Sequence, residues 1–198
     1  MLNNNSGQGI FARLACAGML FLITNSSWSL ELQTVLDNTT ITPPARVGFR
    51  EERHNQLFKE PMVLSGYLEY PEAGWLRKVV ETPFQEAFLI GPGQIEVQRN
   101  GKIHKVALNK SKTLRTMLAG IEAILAGESE KLESVFRYEL SGTEESWSLQ
   151  LTPISRKIAR HLTGLQVAGD DKAVSSIRFE LKGGEWHLMQ ILKSEVEP

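Results

Sequence analysis

The chain reads as a mainly β protein with some α: an incomplete, half-open antiparallel β-barrel covered by a helical lid. Three observations predict this class. About ten runs of residues carry the period-2 alternation or β-branched and aromatic enrichment of strands. Short turns join them, and short turns connect antiparallel neighbours. One strongly amphipathic helical segment interrupts the series at 112–126. A sheet of so many strands curls; if it does not close, it leaves a concave apolar face, and the amphipathic helix is the natural cover for it.

The first 29 residues stand apart from this pattern. Residues 1–13 are polar with Arg13 as their charge, and the apolar run LACAGMLFLI, Leu14 to Ile23, follows. After it comes TNSSWS, with the small residues Ser27 and Ser29 spaced as a cleavage signal requires. This order predicts a cleaved secretory signal peptide over 1–29 and a single domain over 30–198; the apolar run is short for a membrane span. An uncleaved membrane anchor is the alternative. The one cysteine, Cys16, lies inside the run, and Arg13 stands three residues before it where a lipidation signal needs Leu. The mature chain then has no cysteine and must rely on its core rather than on disulfides, which suits the periplasm of a Gram-negative bacterium.

From Ser29 the elements follow in order. SLELQTVLD spaces Leu32, Val35 and Leu36 on one helical face, and Pro43 and Pro44 break the helix. VGFREERHNQLF is a long strand with a polar middle. MVLSGYLEY alternates Leu64, Gly66, Leu68 and Tyr70 against Val63, Ser65, Tyr67 and Glu69, and a Pro-Glu-Ala-Gly turn leads into WLRKVVET, where Trp75, Arg77 and Val79 share a face. EAFLIG and QIEVQRNGKIHKVAL follow, the latter divided by Asn100-Gly101, the strongest short hairpin signal. The helix SKTLRTMLAGIEAILAG places Leu114, Met117, Leu118, Ile121, Ile124 and Leu125 at helical spacing, with Ser111 as its N-cap and Gly127 as its stop. SVFRYELSG, SWSLQLTP, HLTGLQVAG, AVSSIRFELKG and EWHLMQIL complete the strands.

Composition narrows the function. A net charge of -1 with 41% hydrophobic and 23% charged residues is ordinary for a globular protein and argues against nucleic-acid binding. Nucleophile-elbow, zinc-protease and P-loop patterns do not occur, and no catalytic residue, metal ligand or cofactor is assigned. His54, His104, His161 and His187 are scattered. Asp170 and Asp171 suit a turn, Glu51 and Glu52 point to opposite faces of a strand and cannot form a dyad, and SRKIARH at 155–161 reads as a solvated basic face, with a docking patch for an acidic partner as the alternative.

The order of segments is more informative than any one of them. Gly66, Leu68 and Tyr70 with Pro71, then Pro83, the Leu-rich helix from Leu118 to Leu125, Leu151 with Pro153, and Val174, Ile177 and Phe179 stand in the sequence in which the LolA-like family of outer-membrane lipoprotein carriers carries its motifs. The chain resembles that family over roughly 30–192. The resemblance implies a non-catalytic, monomeric carrier that holds acyl chains of a lipid or lipoprotein in an apolar cavity, receives them from a membrane-bound donor and passes them to a membrane-bound acceptor. Residues expected to line that cavity are Phe49, Leu64, Leu68, Tyr70, Trp75, Val79, Leu89, Leu114, Met117, Leu118, Ile121, Leu125, Trp147 and Leu149. The position of the family's lid-holding arginine is Tyr70 here, and Arg77, one strand on, is a candidate to replace it. A non-catalytic interaction module whose cavity is filled by its own side chains is the second reading, and a small envelope hydrolase the third.

Overall fold

The computed structural model describes residues 30–108, 112–170 and 173–192; the expected signal peptide, Ser111 and Asp171 lie outside them. Among the described residues four helices and eleven strands follow one another as α1 (Leu32–Thr39), β1 (Ala45–His54), β2 (Met62–Glu72), β3 (Trp75–Thr82), β4 (Glu86–Gly91), β5 (Gln94–Arg99), β6 (Lys102–Ala107), α2 (Lys112–Ala126), α3 (Ser129–Val135), β7 (Phe136–Thr143), β8 (Ser146–Pro153), α4 (Arg156–Ala159), β9 (Leu162–Asp170), β10 (Ala173–Leu181) and β11 (Trp186–Leu192). The strands form one antiparallel sheet in the order β6-β5-β4-β3-β2-β1-β11-β10-β9-β8-β7. β6 and β7 are its two free edges, so the sheet curls without closing: a half-open barrel with a helical lid.

Local sequence explains the joints. Asn100 and Gly101 both take positive φ, 51° and 73°, as a two-residue hairpin turn between right-twisted strands requires. Gly127 (φ 71°) ends α2 with its N–H donated to the Ile124 carbonyl, while the Glu128 N–H reaches back to the Ala123 carbonyl at 2.8 Å, a Schellman stop. The strand expected to run from Val47 through Phe58 stops instead at His54. Asn55 explains this: its side-chain oxygen accepts the Leu57 N–H and its carbonyl accepts the Phe58 N–H, bending the chain into a turn.

Two helices were not legible as such. α3 takes Ser134 and Val135 from the expected start of β7; Leu132 and Val135 are its only apolar residues, too few for a periodic stripe. α4 falls in the basic stretch read as a solvated face, yet its Ile158 is buried.

The sheet register divides residues into two faces, because directly paired residues project to the same side. One half of the concave face is filled. Trp147, Leu149, Leu151, Leu165 and Val167 of β8 and β9 pack with Leu32, Val35 and Leu36 of α1, Ala123 and Ile124 of α2, Leu132 and Ile158. The other half carries a smaller core of Phe49, Leu64, Val80 and Met189, flanked by Leu68, Phe88 and Ile191.

Candidate functional site

α2 has two working faces. Thr116, Gly120, Ala123 and Ile124 are buried, and Ala123 and Ile124 dock the helix on the filled core. The approach is close at Gly120, where a Cβ would stand 2.6 Å from the Phe136 ring. The neighbouring face presents Arg115, Leu118, Ala119, Ile121, Glu122 and Leu125 to a cavity of about 470 Å³. The single apolar stripe expected from the sequence is therefore split: Ile124 holds the helix down, and Leu118, Ile121 and Leu125 roof an open space.

The floor and far wall come from the hairpin ends of β2–β5: Tyr70, Gly74, Trp75, Leu76, Ile90, Gly91, Pro92 and Gly93, with Leu108. Trp75 sits against Gly91 so closely that a Cβ there would meet the indole ring at 2.5 Å, so Gly91 is what lets this wall exist. Lining atoms are mostly aliphatic and aromatic; Arg115 and Glu122 are its charged members, at the exposed margin of α2. A cavity of this size falls in the usual range for small-ligand sites.

Of the residues expected at the site, Tyr70, Trp75, Leu118, Ile121 and Leu125 come together around this cavity. Phe49, Leu64, Trp147 and Leu149 are completely or almost completely buried inside the packed cores rather than on the cavity wall, and Leu68 flanks the smaller core. Leu114 is half-buried on α2; Met117 is also on α2, its side chain outside the described residues. Val79 and Leu89 stand on the other face of the sheet: Val79 pairs with Tyr67, and Leu89 with Arg77 and Glu96. The inward residues of these strands are Leu76, Lys78 and Val80, with Phe88 and Ile90. The cause is a register irregularity between Glu69 and Glu72, where Glu72 pairs with Trp75. It sets Lys78 rather than Val79 opposite Leu68, so Arg77 and Val79 face away, while Trp75 borders the cavity at the hairpin end. Arg77 accordingly donates to Glu69 at 2.9 Å on the outer face and does not reach the lid.

The concave face also holds a charged cluster that was not expected from the sequence. Glu51 is buried and accepts from Lys78 and, at 2.9 Å, from Arg53, with His187 Nδ1 3.8 Å away. The alternation V-x-F-x-E-x-R over Val47 to Arg53 carried the signal, since it puts Glu51 and Arg53 on the same side as Phe49. As expected, Glu52 faces the other way and pairs with Arg50. Burial pushes the Glu51 carboxyl up, but the adjoining Lys78 and Arg53 charges outweigh it and hold the group below its ordinary value. Burial pulls Lys78 down against the attraction of Glu51. His187 is also lowered, by burial and then by the Arg53 charge, which favours its neutral form. Farther along the same face, Glu86 is buried and pairs with Arg99 at 2.8 Å.

Among the described residues no group of three or more His, Cys, Asp or Glu side chains is placed to hold a metal ion, and no helix is long and apolar enough to cross a membrane.

Among solved structures, the chain is similar to a LolA superfamily protein of Nitrosomonas europaea, at 10% identity over 83% of this chain and 93% of that one, with a TM-score of 0.44. It is similar to the lipoprotein LppX of Mycobacterium tuberculosis at 10% identity, 84% and 96% coverage and a TM-score of 0.44. A DUF1329 family protein of Desulfovibrio piger is similar at 12% identity, 84% and 92% coverage and a TM-score of 0.45. No curated protein matches the chain in sequence. The model of the outer membrane lipoprotein carrier protein LolA-like family matches residues 24–190, and the chain belongs to that family.

Proposed function

We propose that this protein is a periplasmic carrier that takes acyl chains of a lipid or lipoprotein into the cavity under α2 and shuttles them between membrane-bound donor and acceptor proteins. The observation that carries this reading is the apolar space of about 470 Å³ between α2 and the β2–β5 hairpin ends. Water gains little from such a wall, whereas a methylene moved into it gains about 0.8 kcal/mol. A chain of about sixteen carbons could gain on the order of 12 kcal/mol, less the cost of ordering it. Family membership and the expected signal peptide support the same reading.

Tyr70, Trp75, Leu118, Ile121 and Leu125 are the proposed acyl contacts. Phe49, Leu64, Trp147 and Leu149 serve the packing that holds the wall in place. Release needs a lid that can move. α2 rests on the β7–β10 half through Gly120, Ala123 and Ile124, so tilting about that seam would widen the cavity without unfolding the sheet.

The test is a titration of delipidated protein with a fluorescent acyl probe. Saturable uptake at one site per chain supports the reading; no uptake across a wide concentration series refutes it. The alternative of an interaction module filled by its own side chains draws on the packed β7–β10 half, and that same null result would favour it.

A further inference from the structure

We infer, resting on the carrier reading above, that the cargo is an anionic amphiphile: its acyl chain lies in the cavity under α2 and its carboxylate or phosphate head lies against Arg99 and Lys102 at the opposite end of the same inner track. The polarity of the concave face along β4–β6 is the basis. β4 presents Ile90, Phe88 and Glu86 inward in turn, paired with Ile95, Val97 and Arg99 of β5. β6 continues these levels with Val106, His104 and Lys102. Ile90 borders the cavity under α2. Four residues on, about 13 Å along the strand, Glu86, Val97, Arg99, Asn100, Lys102 and His104 surround a second recess of about 390 Å³. Half-buried Phe88 and Val97 join the two. One end of the track is therefore greasy and the other charged, with Phe88 and Val97 between them at the level of Lys78 and His104.

The charge at that end is unbalanced. Glu86 already accepts from Arg99, and Lys102 has no carboxylate partner among the described residues, which leaves one cation in excess. Lys78, opposite Phe88 on the same face, adds a second unbalanced centre, because its partner Glu51 is shared with Arg53. On the β7–β10 side the inward residues Leu149, Leu151, Leu165, Val167, Ile177 and Phe179 bring no charge. Glu60 and Glu185 stand in a different recess, with Arg53 and His187 at the β1–β2 turn, so the anionic head belongs on the β4–β6 side. A neutral lipid would leave this end unmatched; an anionic head answers its excess cation.

The full chain, delipidated and loaded with a fluorescent acyl probe, is titrated with hexadecanoate, hexadecyl phosphate, hexadecanol and inorganic phosphate. Because the cations are partly exposed, the two anionic amphiphiles should compete roughly threefold to tenfold better than hexadecanol at low salt, and the advantage should shrink as salt rises. Whichever anion ranks first assigns the head. Arg99→Gln with Lys102→Gln should erase the preference while leaving hexadecanol unchanged. Glu86→Gln, which frees Arg99, should enlarge it. Equal competition by hexadecanol and hexadecanoate overturns the inference and leaves the carrier reading standing. Displacement by inorganic phosphate alone also overturns it, by making the recess a free-anion site. Failure of every amphiphile to compete overturns the inference together with the carrier reading.

Discussion

Replacing Ala119 by Leu separates acyl binding from folding. Ala119 is half-buried on the cavity face of α2 and away from the seam formed by Gly120, Ala123 and Ile124. The substitution adds three carbons to the roof of a cavity that has room for them. Each methylene they displace from a bound chain forfeits about 0.8 kcal/mol, so the loss is about 2.4 kcal/mol. At 1.4 kcal/mol per tenfold, that is roughly 50-fold weaker binding. The same carbons cover apolar wall in the empty protein, so unliganded stability should rise, by up to about 2 kcal/mol. Isothermal titration with an acyl ligand and urea denaturation of the unliganded variant measure the two quantities. The opposite signs matter, because a misfolded variant would lose both. Unchanged affinity with raised stability would show that acyl chains do not use this space.

The remaining predictions concern the supports of the site. Gly120→Val drives a side chain into the Phe136 ring, which already stands 2.6 Å from a Cβ at that position; urea denaturation should show a loss of about 1–3 kcal/mol. Glu51→Gln leaves Lys78 and Arg53 facing each other across a buried position, so stability should fall by about 3 kcal/mol, whereas Glu51→Gln with Lys78→Met should recover most of it; a double variant no better than the single one would show that the charge pair is not the cause. His187 has its pKa lowered in the fold, so the unfolded chain protonates first and stability should decline as pH falls below about 6.5. Glu51, also lowered, contributes stability above the ordinary carboxylate range and loses it as pH falls through its depressed value. Thermal denaturation from pH 8 to pH 3 should therefore show two descents, and His187→Gln should remove the first.

Much of the architecture was legible because local chemistry and global fold agree. Asn100-Gly101 demanded a tight hairpin and makes one, and Gly127 stops α2 as its conformational freedom allows. The strand alternation gave the inner face of β2 correctly, with Leu64 and Tyr70 buried. What failed was whatever depended on register between strands. The irregularity at Glu69–Glu72 sets Lys78 rather than Val79 opposite Leu68 and so turns Val79 and Leu89 outward, and nothing within a single strand announces such a shift. Likewise, helical spacing gave α2 one apolar stripe but could not tell the residues that dock it from those that roof a void. That division depends on Phe136 meeting Gly120 across the fold.

Native mass spectrometry of the chain, isolated gently from the periplasm of a Gram-negative host, bears most directly on whether the cavity carries acyl chains. A population of one amphiphile per chain is expected, identifiable as acylated by fragmentation and depleted in Ala119→Leu. A bare polypeptide mass in both proteins, together with no acyl uptake by the delipidated chain, would contradict it.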